Sequence, residues 1–125
     1  MKTLSFAAAI VLVSGGLGLA HHSFAAHYFE EQSVTIEGTL TEFQYAAPHA
    51  WVYLTVPGQS AGSQQYSAEW ANPNRLARDG VTKDTLKAGD QVIITGSPGR
   101  NASENRIHLK RIERPADGWN WGRRR

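Results

Sequence analysis

Apolar and polar residues alternate along most of the chain beyond residue 33, a period of two that predicts strands. From Val34 to Tyr45, the residues Val34, Ile36 and Leu40 share one face, whereas Phe43 and Tyr45 fall on the opposite parity. One added residue in a long strand is a bulge, and a bulge bends the strand. Ala46-Ala47-Pro48-His49 ends this run, and Trp51 to Val56 forms a second strand with Val52, Leu54 and Val56 on one face. A polar Gly/Ser loop follows over 57–64. Tyr66, Ala68 and Trp70 mark a third strand, with Glu69 on its other face.

The period then changes. Asn72 suits a helix N-cap, Pro73 the first helical position and Gly80 the position just past the end. This helix is barely two turns long and is anchored by Leu76. Residues 86–90 turn into a fourth strand, Gln91 to Gly96. After a loop over 98–104, Ile107 and Leu109 define a fifth strand, with His108 and Lys110 facing outward. Beyond Pro115 the pattern predicts an irregular basic tail, 115–125, and deleting Asp117 to Arg125 should leave stability almost unchanged.

Five strands, the first long and bent, with one helix between the third and fourth, predict an all-β domain with one short helix: a five-stranded OB-fold-like barrel over 34–114. Closure would hide strand edges that a small open sheet exposes. Ile36, Leu40, Val52, Leu54, Ile94 and Leu109 are the expected core.

The N-terminus has a different character. Lys2 precedes an apolar run from Leu4 to Val13, which Ser14-Gly15-Gly16 breaks before Ala20. This pattern predicts a secretory signal over 1–20 and is too short for a membrane span. Cleavage after Ala20, or after Gly18 or Ala25, would leave an exported, periplasmic or secreted chain that starts in a His-containing leader, 21–33. Losing Lys2 takes the 13 Lys+Arg to 12, against 11 Asp+Glu; setting aside Arg123, Arg124 and Arg125 leaves 9. The body is thus slightly acidic. Arg106, Lys110, Arg111 and Arg114 form only a modest cluster, so nucleic-acid binding is not expected.

With no cysteine, the chain has no disulfide, no thiolate metal site and no Cys nucleophile. Nucleophile-elbow, phosphate-loop and dinucleotide motifs are absent, and nothing points to an enzyme. Glu30-Glu31 reads as a solvated pair. The chemistry lies in five histidines. If His21 becomes the mature terminus, its amine and ring nitrogen chelate one metal, and His22 stands beside it. Nitrogen donors without thiolate or thioether favour copper(II), with zinc a weaker candidate. His49 sits behind Pro48 in a stiffened loop at the barrel mouth, and Glu69 is a candidate oxygen ligand or supporting partner. The segment from Ser23 to Ser33 spans about 35 Å when extended, enough to bring the leader back to His49. His27 and His108 read as ordinary surface residues. The competing reading makes His49 a turn residue and assigns function to an aromatic face (Tyr45, Trp51, Tyr53, Tyr66, Trp70) that binds a peptide, a glycan or a partner protein.

His21-His22-Ser23-Phe24 after a signal, Pro48-His49-Ala50-Trp51, and Glu69-Trp70-Ala71-Asn72-Pro73-Asn74-Arg75-Leu76 together resemble the DUF6152 family of small exported bacterial proteins. The resemblance covers about 21–112. It brings no established activity, supports the exported barrel and marks the two His motifs. Val81 departs from it, since an aromatic residue is expected there, and the Trp119-Asn120-Trp121 end is not anticipated by it.

Overall fold

The computed structural model describes residues 24–58 and 62–122. Its strands are β1 (Val34–Gln44), β2 (Trp51–Pro57), β3 (Ser63–Glu69), β4 (Gln91–Pro98), β5 (Arg106–Arg114) and β6 (Trp119–Trp121), with helix α1 (Pro73–Arg78) between β3 and β4. A 3₁₀ turn at Ala102–Glu104 precedes β5.

β1 explains the architecture. Its first half pairs with β4 and its second half with β2, both antiparallel, and the pairing slips between Leu40 and Glu42. This is the bulge the parity change predicts. It lets Leu40 and, beyond the slip, Phe43 both turn toward the interior. β2 continues to β3, and β3 runs parallel to β5, which returns to β4. The order β1-β2-β3-β5-β4 closes a barrel of five strands. Leu40, Val52, Leu54, Ile94 and Leu109 are buried together as expected, while Ile36 packs on that core half-exposed. Trp70, Leu76, Val81 and Leu86 extend the core under α1. Val81 is buried despite its small size, and the Tyr45 hydroxyl donates to its carbonyl.

α1 starts and stops as its sequence dictates. The Asn72 side chain accepts the Asn74 N–H at 2.8 Å, Pro73 occupies the first turn, and Gly80 takes φ +80°, which a side chain disfavours.

One region departs from the sequence reading. The tail is not irregular: β6 pairs with β5 at Ile112–Arg114, beyond the Arg106–His108 stretch that β3 covers. Trp121 stands edge-on to buried Trp70 at 5.1 Å, and its indole N–H donates to Asp79 at 2.9 Å. Two tryptophans two residues apart with an apolar surface to cover outweigh the Gly- and Arg-rich composition. The leader, where described, is docked. Residues 24–27 are helical, Tyr28 is fully buried and bridges to Gly99, and Phe29 N–H donates to the Pro98 carbonyl.

Candidate functional site

Three segments far apart in sequence meet at one end of the barrel: the leader, the β1–β2 loop, and the strands β3 and β5. Glu69, the last residue of β3, lies across from Trp51 on β2 and from His108 on β5. Its carboxylate is only 13 % exposed. Oε1 lies 2.8 Å from His49 Nδ1; Oε2 accepts the Tyr28 hydroxyl at 2.5 Å and Arg106 at 3.3 Å. Burial, then the Glu69 hydrogen bond, push the Tyr28 phenol far above its usual range, so it stays a donor.

A carboxylate can only accept, so His49 Nδ1 carries the proton in the neutral ring and Nε2 keeps its lone pair. The loop carrying His49 holds a cis Ala47–Pro48 bond, and Ala50 behind it is fully buried.

His108 repeats this arrangement. Its Nδ1 lies 2.7 Å from Glu30 Oε1, and Lys110 donates to Glu30 Oε2 at 2.6 Å. Burial lowers the His108 pKa more than the Glu30 hydrogen bond raises it. For Glu30, burial acts upward, but hydrogen bonds from Lys110 and His108 prevail and hold the carboxyl below its usual value. The consistent state is ionised Glu30 neutralised by Lys110, with a neutral imidazole donating through Nδ1. Among the described residues neither Nε2 has a hydrogen-bond partner.

The Phe24 ring joins the two histidines. It stacks on His108 at 3.8 Å with a 3° interplanar angle, and lies 5.0 Å from the His49 ring. The imidazole centroids are therefore at most 8.8 Å apart, the 5.0 and 3.8 Å legs laid end to end. Both line a cleft of about 430 Å³ with Phe24, Trp70, Arg75 and Trp121.

Among the sequence candidates, His49 and Glu69 meet, and both Glu69 oxygens are hydrogen-bonded within the protein, one of them to His49. His21 and His22 lie outside the described residues. His27 is exposed, as expected. Two readings are corrected. His108 points away from the barrel core as its parity requires, yet its side chain is only 15 % exposed because the leader covers it. Glu30 is not simply solvated, since it holds both His108 and Lys110. Neither could be found from strand parity, which is blind to a segment lying over the sheet. Among the described residues no three His, Asp or Glu side chains converge on one ion position.

The closed five-stranded barrel with its helix between β3 and β4 is an OB fold. It is similar to the mitochondrial single-stranded DNA binding protein Rim1 of S. cerevisiae, with 13 % identity and a TM-score of 0.50 over 66 % of this chain and 91 % of that one. A small single-stranded DNA-binding protein from Streptomyces coelicolor matches at 14 % identity and a TM-score of 0.44, covering 67 % of this chain and 92 % of that one. At such identities the likeness concerns the fold alone. No curated protein matches the sequence. The chain belongs to DUF6152, a family of unknown function, whose profile matches residues 9–108. The match includes His49, Glu69 and His108; β6 lies beyond it.

Proposed function

We propose that this is an exported, periplasmic metal-binding protein, with His49 and the leader histidines His21 and His22 as its ligands and His108 joining them. One observation carries this reading: the leader returns to the end of the barrel that bears His49, with Phe24 between two imidazoles. Each imidazole has its Nδ1–H held by a carboxylate, the support that metal-ligating histidines ordinarily have. His22 and His21 precede Phe24 by two and three residues, within about 10 Å of extended chain. An all-nitrogen donor set without sulfur favours copper(II) over zinc. Glu69 and Glu30 act as the supporting carboxylates. Export is supported by the apolar N-terminal run, and the slightly acidic body argues against nucleic acid as a partner.

Copper(II) titration of the protein beginning at His21 tests the reading. A visible absorption band saturating near one equivalent is expected. His49→Ala should weaken binding by about tenfold or more, and an extra residue ahead of His21 should weaken it as well. Affinity should fall as the pH drops through about 6, because each imidazole must lose its proton to coordinate. A flat titration overturns the proposal. It would turn attention to the second reading, a non-metal binding module, which the outer face of β2 favours: Trp51 and Tyr53 stack at 6.3 Å with Arg106 over the Trp51 ring at 5.1 Å.

A further inference from the structure

The cleft beside the histidines is too large for an ion. Its volume of about 430 Å³ is that of roughly fourteen liquid waters at about 30 Å³ each. Its walls are also one-sided in charge. Among the described residues its lining includes the cations Arg75 and Lys110, Lys110 being held by Glu30, and no carboxylate. The nearby acids are turned toward the protein: Glu69 to His49, Tyr28 and Arg106, Glu30 to His108 and Lys110, and Asp79 to the Trp121 indole. The cleft therefore presents, among the described residues, one unpaired cation, Arg75, beside the apolar surfaces of Trp70, Ala71 and Leu109.

Arg75 is the cation on the cleft that no carboxylate of the described residues holds. It makes no ion pair among the described residues, although most other arginines around the barrel make one. Instead its guanidinium lies over the Trp121 ring at 5.7 Å, which restrains it at the cleft. A planar guanidinium held against an indole, with its donors unused, is shaped to take a carboxylate through two parallel hydrogen bonds.

We propose that this cleft binds a small organic carboxylate with an apolar or aromatic body, the acid on Arg75 and the body between Trp121 and Phe24. Binding does not require a metal, so this proposal stands apart from the copper reading.

Benzoate is the probe, added to protein stripped of metal on a chelating resin, since soluble chelators are themselves polycarboxylates. The readout is the ¹H–¹⁵N spectrum, in which the four tryptophans give indole signals. Saturable shifts are expected at Trp70 and Trp121, with Trp51 and Trp119 still. Arg75→Ala should weaken benzoate by about tenfold or more, and Arg78→Ala, one turn position away and not on the cleft, should not. Copper uptake by Arg75→Ala should match the parent, so the two proposals fail separately. Absence of saturation, equal binding of benzamide or inorganic phosphate, or full benzoate binding by Arg75→Ala would each overturn it.

Discussion

His108 sits on β5 between two core residues, with the Phe24 ring of the leader stacked over it. Alternation with Ile107 and Leu109 puts it outside the barrel core, and there it is. What converts an outward histidine into a covered one is Phe24, more than eighty residues earlier, a contact no local pattern encodes. The cover has a measurable cost in acid. The folded pKa of His108 lies below the ordinary 6.5, chiefly through burial, so the unfolded chain takes up the proton first. The stability that depends on neutral His108 is complete above pH 6.5 and drains away as the pH falls toward the folded value. Glu30, also lowered in the folded state, acts with the same sign further down. Thermal midpoints by circular dichroism should therefore drop between pH 7 and pH 5. His108→Gln should flatten that slope. His49 was legible for a different reason: proline before it and tryptophan after it fix a loop, and loops at a barrel mouth carry function.

At the level of elements, β1 to β5 and α1 were all legible, because each announces itself by a period, a cap or a breaker. β1 with its bulge is the clearest case, since the parity slip is written in the sequence at Leu40 and Phe43. β6 was not. Three residues are too few for a period, and what makes them a strand is the vacant edge of β5 beyond His108. The consequence reverses the expectation from composition. Deleting 117–125 removes Trp121 from Trp70 and Trp119 from Arg114, along with the Asp117–Arg114 ion pair. It should lower stability by on the order of 2 kcal/mol. A calorimetric midpoint lower by roughly 10 °C is the expected reading, and an unchanged one would mean that β6 adds nothing.

For the whole molecule, topology followed from element order, but the meeting of leader, loop and β5 did not. Chain reach allowed it; only the packing of Tyr28 and Phe24 decides where the leader lands. Glu69 is where these segments are tied. One carboxylate holds Tyr28 of the leader, His49 of the loop and Arg106 of β5. Three regions that share one acceptor should open together rather than one at a time. Amide hydrogen exchange makes this visible. In the parent, protection over 24–30, 47–50 and 105–108 should be lost at a common opening free energy. In Glu69→Gln, which keeps the shape but weakens charge-assisted bonds, all three should exchange faster by similar factors while β1 and β4 are unaffected. Acceleration confined to one segment would mean that they open independently. By this account, whatever occupies the cleft clamps the leader, the loop and β5 as a single cooperative unit, and an empty cleft leaves that unit the first part of the barrel to breathe.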